Sequence, residues 1–154
     1  MRYTFLLPDE NATLALGEKI AQNLKGGAFI ALQGGLGAGK AVLVKGLAHG
    51  LKITQRVMSP TFPIMCQYFG TRELCHFDLY RITEDDCYDM GFDDFFFDPS
   101  IICAVEWSER LHDLPPHTLT YFASNIKEMI SGLPVKVPTT TAPGRQKLST
   151  KTVF

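Results

Sequence analysis

The sequence predicts an α/β fold with a largely parallel central sheet flanked by helices. Two short continuous apolar runs, residues 28–32 and 101–105, are typical of strands that are buried on both faces. Apolar residues at helical spacing separate such runs, so strands alternate with helices along the chain. The 154 residues, of which 45% are apolar and 20% charged, are sufficient for one globular domain with a substantial core.

The first half of the chain predicts a strand, a helix, a strand and a helix in that order. The strands are residues 2–7 and the apolar run 28–32, and a turn is expected at residues 8–11. The first helix ends at a pair of glycines and has an apolar stripe of Leu14, Gly17, Ile20, Ala21 and Leu24. The second helix follows a glycine-rich turn and repeats Leu43, Leu47 and Leu51.

The second half begins with a loop at residues 59–61. Residues 73–80 alternate in character and predict a strand with Cys75, Phe77 and Leu79 on one face. Thr83 precedes three acidic residues and predicts a helix N-cap. The second apolar run then predicts another buried strand.

Charge is distributed unevenly along the chain. The net charge of −1 combines −5 over residues 1–125 with +4 over residues 126–154. We therefore expect a single domain over 1–125 and a basic C-terminal segment over 126–154, rich in Ser, Thr and Pro, that is extended or divergent. A solvated, disordered end is one interpretation of this segment, and an electrostatic contact with RNA is another.

Composition and segment lengths exclude several classes of protein. A near-neutral charge does not suit a nucleic-acid coat, and no apolar run is long enough to span a membrane. The first ten residues contain too short an apolar run for a signal peptide. No C-x-x-C pair occurs, so neither a zinc knuckle nor a redox motif is expected. A chain of this length with so few cysteines is not expected to be a disulfide scaffold, and a reduced cytoplasmic protein is predicted. The four cysteines are Cys66, Cys75, Cys87 and Cys103.

A phosphate-binding loop follows the strand at 28–32. The sequence matches G-x-x-x-x-G-K, between a strand and a helix, over Gly34, Gly35, Leu36, Gly37, Ala38, Gly39 and Lys40. Glycines allow backbone N–H groups to converge on an anion, and Lys40 would reach the β- and γ-phosphates of ATP. The alternative is a glycine-rich turn without a ligand.

Ala41 departs from this motif. The position normally holds Ser or Thr, whose hydroxyl coordinates Mg²⁺, and a methyl group cannot replace it. Since water can fill the vacant coordination position, Ala41 does not exclude catalysis. The hypothesis is a loop that binds nucleotide but hydrolyses it slowly.

Two carboxylates follow predicted strands. Glu106 ends the run at 101–105, where an acidic residue in a phosphate-loop protein holds Mg²⁺ or polarises the attacking water. Asp78 lies near the end of the other strand and could order that water. The alternatives are a solvent-exposed strand end for Glu106 and a turn-capping residue for Asp78. His76 is interpreted as a packed or solvated strand residue rather than a general base.

Residues 83–98, called here the acidic aromatic segment, contain seven acidic residues and four phenylalanines. A helix with apolar anchors and a solvated acidic face is one interpretation. The other is a docking surface for a basic partner, with the aromatic rings as anchors.

An ordered set of short motifs resembles the TsaE (YjeE) family of P-loop ATPases. The resemblance spans about residues 5–116. It rests on Pro8-Asp9-Glu10, Thr13, Leu16-Gly17, Gly37-Ala38-Gly39-Lys40, Ser59-Pro60-Thr61, His76-Phe77-Asp78-Leu79-Tyr80-Arg81, Met90-Gly91 and Val105-Glu106-Trp107-Ser108-Glu109. It implies a three-layer P-loop NTPase-like fold with a mixed, largely parallel sheet.

The resemblance also implies a function. Members are cytoplasmic ATPases with little activity alone, which use ATP and Mg²⁺ in tRNA threonylcarbamoyladenosine synthesis. They work with a TsaB–TsaD complex that modifies tRNA, so contact with tRNA would be indirect.

Residue roles carried over by position come from this resemblance. Phosphates would be held by residues 34–41 and magnesium by Glu106. Ser59 and Thr61 would form a switch-like loop near the γ-phosphate, and Asp78 and Trp107 would serve catalysis or its coupling. Glu10 and Thr13 would lie near the nucleoside.

Departures from the family pattern favour weak hydrolysis. Gly35 stands where Asp is usual, Ala41 where Thr is usual, and Phe62-Pro63 where Tyr-Thr is usual. Ala41 favours a second hypothesis, a hydrolysis-impaired nucleotide sensor on the same fold. A small-molecule kinase is a third, although no arginine-rich lid is evident.

Overall fold

A seven-stranded mixed sheet forms the centre of the computed structural model, which describes residues 3–116, 118–125 and 149–153. The strands are β1 (Tyr3–Leu7), β2 (Ala28–Gln33), β3 (Met65–Phe69), β4 (Glu73–Asp78), β5 (Ile102–Glu106), β6 (Leu119–Asn125) and β7 (Ser149–Val153). The α-helices within these ranges are α1 (Glu10–Asn23), α2 (Lys40–Gly50), α3 (Glu84–Asp89) and α4 (Asp93–Phe96). A 3₁₀ turn covers Ser108–Arg110.

The middle of the sheet is parallel and its edges are antiparallel. The strand order is β1-β7-β6-β2-β5-β4-β3. β2 pairs in parallel with β5 and β6, and β5 pairs in parallel with β4. β3 is antiparallel to β4, and β7 is antiparallel to both of its neighbours. The prediction of a mixed, largely parallel sheet is confirmed.

Helices cover both faces of this sheet, which completes the three predicted layers. On one face, α1 and α2 pack over the inward side chains of the central strands, with Leu43, Leu47 and Tyr121 fully buried. On the other face, α3 and α4 pack over Phe29, Phe77 and the other strand side chains that point away from α1 and α2. The alternation predicted for residues 73–80 has the correct faces, although β4 ends at Asp78.

The two helices on the first face approach each other closely at a pair of glycines. A Cβ atom built on Gly46 would lie 2.1 Å from the carbonyl oxygen of Leu14. A Cβ built on Gly17 would lie 2.4 Å from the carbonyl oxygen of Leu43. Backbone-to-backbone contact of this kind excludes any side chain, so α1 fixes the position of α2.

Helix ends are satisfied by specific groups. Asp9 caps α1 by accepting from the backbone N–H of Ala12 at 2.8 Å, so the helix begins at Glu10. The sequence predicted a turn over residues 8–11, and this prediction is wrong for Glu10 and Asn11, which are helical. At the other end, the Arg72 guanidinium donates to the carbonyls of Ala21, Leu24 and Gly26. The predicted N-cap at Thr83 is confirmed, with a capping box that includes Asp86.

The predicted C-terminal segment lies mostly outside the described residues. Within 126–154 only Ser149–Val153 is described, and these residues form β7 between β1 and β6. The division of the chain at residue 125 therefore stays a prediction.

Replacing Gly46 by Ala should lower the free energy of unfolding by about 3 kcal/mol, because a methyl group there collides with the backbone of α1. Urea denaturation measures the loss. Gly26→Ala is the matched control, since its Cβ would meet its nearest neighbour at 3.4 Å, and it should change stability by less than about 0.5 kcal/mol. Equal stabilities of the two variants would contradict the close packing of α1 and α2.

Candidate functional site

The glycine-rich loop leaves the carboxyl end of β2 and enters α2 in left-handed backbone conformations. Gly34, Gly37 and Gly39 have φ of +123°, +74° and +90°, which L side chains rarely adopt. Gly34 also packs against β6, where an added Cβ would lie 2.4 Å from the carbonyl of Ala123. Glycine is therefore required by geometry at these positions. Gly35 has open space around its Cα, and Leu36 is 86% exposed at the tip.

Lys40 lies across the loop as the first residue of α2. Its Nζ donates to the carbonyls of Gly34 at 2.6 Å and Gly35 at 3.0 Å, and the residue is 95% buried. The cap residue Gly39 supplies no side chain, and the first amides of a helix have no partner within it. A positive side chain and a helix N-terminus thus meet inside one loop, which is the arrangement that attracts an anion.

The two predicted carboxylates lie side by side at the carboxyl ends of neighbouring strands, next to this loop. Register places Glu106 of β5 opposite Leu32 of β2, and Asp78 of β4 opposite Glu106. Both carboxylates are more than nine-tenths buried. The Asp78 Oδ1 accepts the backbone N–H of Tyr80 at 3.0 Å. Glu106 is therefore not a solvent-exposed strand end, and Asp78 holds the turn after β4 as well as facing the site.

His76 binds Glu106 directly, which the sequence did not reveal. Its Nε2 donates to Oε1 of Glu106 at 2.8 Å, and the imidazole is fully buried. Of the two interpretations of this residue, the packed one holds. The contact joins β4 to β5, so predicting it requires knowledge of which strands pair and in which register. The sequence indicates only that His76 and Asp78, two residues apart in one strand, lie on the same face of the sheet.

Trp107 connects the strand end to the loop. The residue has φ of +60°, a strained value for a bulky side chain. Its ring lies 4.8 Å from the Nζ of Lys40, measured to the ring centre, and 5.0 Å from the ring of Tyr80. The cation–π contact joins two residues for which the sequence predicts a role in catalysis.

Ser59 and Thr61 lie in the exposed loop between α2 and β3. Ser59 lines a cleft together with Ala41, at the start of α2. Beside Thr61, the Arg81 guanidinium stacks on the ring of Phe62 at 4.4 Å. The structure therefore brings Ser59 close to the phosphate loop and leaves Thr61 at the surface.

Glu10 and Thr13 lie in the first turn of α1. Glu10 is exposed, whereas Thr13 is 99% buried and its hydroxyl donates to the carbonyl of Asp9 at 3.2 Å. The neighbouring Leu14 lines the same cleft as Ala41. This turn therefore borders the region of the loop, and contact of its side chains with a nucleoside stays a prediction.

The residues present fit a nucleotide phosphate well and a magnesium ion in part. Left-handed glycines, helix amides and Lys40 match the requirements of a phosphate chain. Magnesium in such sites is held by one or two carboxylates together with substrate phosphates, for which Glu106 and Asp78 qualify. Ala41 contributes no ligand. Among the described residues, no group of three or more His, Cys, Asp or Glu side chains has the geometry of a metal site by itself.

Three of the four phenylalanines of the acidic aromatic segment pack in or against the hydrophobic core. Phe92 and Phe96 are buried, and their rings lie 5.1 and 4.9 Å from the ring of Phe77. Phe95 packs against the same cluster, and Phe97 alone of the four is largely exposed, at 55%. The interpretation of a helix with apolar anchors and a solvated acidic face is the one that the structure supports.

The cysteines are all free thiols, and three of them are buried. Burial raises the pKa of Cys75 to about 12 and of Cys87 to about 11, and it raises that of Cys103 as well. Thiols that resist deprotonation are poor nucleophiles and poor metal ligands. In the part of the chain that the structure describes, no helix is long and apolar enough to cross a membrane.

Comparison with known proteins gives a consistent set of matches. The family model of the threonylcarbamoyl adenosine biosynthesis protein TsaE matches residues 7–131. A Synechocystis protein named tRNA threonylcarbamoyladenosine biosynthesis protein TsaE is 48% identical over 119 residues, covering 72% of this chain and 73% of that protein. A Treponema pallidum protein of the same name is 38% identical over 110 residues, covering 70% and 81%. The crystal structure of Bacillus subtilis YdiB matches with a TM-score of 0.68 at 24% identity, over 99% of this chain and 84% of that one, which supports the fold.

Replacing His76 by Ala should lower the free energy of unfolding by about 2–3 kcal/mol, because it opens a cavity and leaves buried Glu106 without its partner. Chemical denaturation measures this. His49→Ala, at an exposed histidine, is the control and should lie within about 0.5 kcal/mol of the native protein. A His76→Ala variant as stable as this control would show that the pair contributes nothing to the fold.

Proposed function

The chain belongs to the TsaE family, whose members act in the biosynthesis of threonylcarbamoyladenosine on tRNA, and we propose that within this pathway it is an ATP-binding, weakly ATP-hydrolysing accessory protein. The observation that carries the proposal is the loop at the end of β2. Three left-handed glycines, a helix N-terminus and the buried Lys40 amine converge there on one volume. The phosphates of a nucleotide are the ligand that this combination favours.

Each neighbouring residue has a proposed role in the reaction. Bound ATP would supply the phosphoanhydride bond, and Mg²⁺ the positive charge that neutralises its oxygens. Lys40 and the loop amides would hold the phosphates, and Glu106, whose carboxylate is oriented by His76, would hold the metal ion. Asp78, next to Glu106 in register, positions the attacking water. Trp107 keeps Lys40 over the loop through its ring face.

Weak hydrolysis follows from Ala41. Its methyl group cannot supply the hydroxyl ligand that positions Mg²⁺ in most phosphate-loop enzymes. Binding of phosphates does not depend on that hydroxyl, so affinity for nucleotide should persist while turnover is slow. The same observation favours a second candidate, a nucleotide sensor whose bound state, rather than hydrolysis, is the output.

The proposed partners follow from the family. A TsaB–TsaD-like complex would receive the accessory protein, and tRNA would be contacted through that complex in the cytoplasm. The exposed Leu36 at the tip of the loop and the exposed Phe62 beyond Ser59 are available apolar groups near the site.

Nucleotide binding should change the fluorescence of Trp107, which is the single tryptophan of the chain and touches the Lys40 amine. Lys40 must turn toward the phosphates when they bind, which alters the charge over the indole ring. A titration with ADP should therefore give a saturable change in emission. Lys40→Ala should weaken ADP binding at least about tenfold, equivalent to 1.4 kcal/mol.

The control for this titration is Lys52→Ala, which removes an exposed lysine outside the loop. It should bind ADP like the native protein. Full-affinity binding by Lys40→Ala would overturn the phosphate-loop assignment.

Ala41→Thr should raise the rate of ATP hydrolysis, because it restores the hydroxyl ligand, while ADP affinity changes little. Turnover is measured by phosphate release, with and without the TsaB–TsaD complex. An increase of about tenfold is expected if Mg²⁺ placement limits the native rate. Tight ATP binding without turnover in either protein, even with the complex present, would select the sensor instead.

A further inference from the structure

A cleft next to the phosphate loop runs along one side of α2. Its volume is about 570 Å³. One wall is a stripe of α2 made of Ala41, Lys45, Ala48 and His49. The other wall is the segment 53–59 that follows the helix, and His76 forms the floor. At 1.5 Å per residue, the stripe from Ala41 to His49 spans about 12 Å, which is long enough to hold several chemical groups.

The lining of this cleft is positively charged although the surrounding domain is acidic. Lys45 of α2 and Arg56 of the segment 53–59 both line the cleft, and His49 adds a third basic side chain. No carboxylate is among the lining residues, whereas residues 1–125 as a whole have a net charge of −5. A concave surface of one charge sign concentrates small ions of the opposite sign. The cleft therefore selects for an anion.

A buried nitrogen on the floor is a second, independent indication of a ligand. His76 is fully buried and lines the cleft, and its Nε2 is bonded to Glu106. Its Nδ1 has no hydrogen-bond partner among the described residues. Because Nε2 carries the hydrogen, Nδ1 is an acceptor, and buried polar atoms of this kind are almost always satisfied by protein, water or a ligand. The hydroxyl group of hydrogen phosphate is a donor that matches it.

The position of the cleft relates it to the phosphate loop. Ala41, which directly follows the loop lysine, and Ser59 both line the cleft. The floor residue His76 contacts the carboxylate proposed to hold magnesium. The cleft thus adjoins the end of the phosphate loop at which Ala41 lies.

We propose that this cleft is a second phosphate site, which takes the inorganic phosphate that leaves the loop after hydrolysis. The proposal rests on the proposed ATPase function. In that reaction a water oxygen forms a bond to the γ-phosphorus and the bond to the β–γ bridging oxygen breaks, so ADP and inorganic phosphate are the products. Lys45 and Arg56 attract the phosphate and donate hydrogen bonds to its oxygens.

Titration of ADP-loaded protein with inorganic phosphate tests the proposal, because ADP occupies the loop. Calorimetry should show one phosphate bound per chain. The double variant Lys45→Ala/Arg56→Ala should lose affinity for phosphate by about tenfold or more, since two charged donors are removed. Lys19→Ala/Lys25→Ala removes the same charge at exposed positions outside the cleft, and it should bind phosphate like the native chain.

Several results would overturn the second site. One is equal phosphate affinity in the native chain, the Lys45→Ala/Arg56→Ala variant and the Lys19→Ala/Lys25→Ala variant. Another is phosphate binding that disappears when ADP is present. A third is a short oligoribonucleotide that binds through Lys45 and Arg56 while inorganic phosphate does not. ADP affinity, measured in the same samples, separates the two proposals: ADP binding without a cleft-dependent phosphate site removes only the second site, whereas failure to bind ADP removes the proposed function.

Discussion

The parallel register of β2, β5 and β4 is the constraint on which the candidate site depends. Because these strands run in one direction and are adjacent, their carboxyl ends lie in a row. The phosphate loop follows the first strand, Glu106 ends the second and Asp78 ends the third. A shift of one residue in either pairing would turn a carboxylate to the opposite face of the sheet, away from the loop. Apolar strands that are buried on both faces hold this register.

Around that row, three kinds of contact fix the side chains. The close approach of Gly17 and Gly46 fixes how α2 lies against α1, and Lys40 is the first residue of α2. The His76–Glu106 hydrogen bond sets the orientation of a buried carboxylate. The ring of Trp107 holds the lysine amine from the side of β5. Helix, sheet and loop thus meet at one point, and the second face of the sheet, with its phenylalanine cluster, contributes stability rather than chemistry.

Local patterns in the sequence were sufficient to predict several elements of the fold and the main residues of the candidate site. Apolar runs and helical spacing predicted β2, α2 and β5, and the G-x-x-x-x-G-K match predicted the loop whose left-handed glycines the structure shows. Glu106 and Asp78 were predicted to belong to the site because they lie at the ends of predicted strands, and parallel strands align their carboxyl ends. What pattern alone could not supply was contact between distant elements. The His76–Glu106 bond and the basic cleft both require the register and the path of residues 53–59. β7 joins the sheet between β1 and β6 by a pairing with strands more than twenty residues away, for which no short-range pattern exists.

A crystal structure of the protein with ADP and Mg²⁺ would show whether the loop after β2 binds the phosphates of the nucleotide. We expect the β-phosphate inside the loop of residues 34–40, within hydrogen-bond distance of the Lys40 amine, with the metal ion on the side of Glu106. A nucleotide bound elsewhere, with Lys40 still bonded to the carbonyls of Gly34 and Gly35, would contradict this expectation.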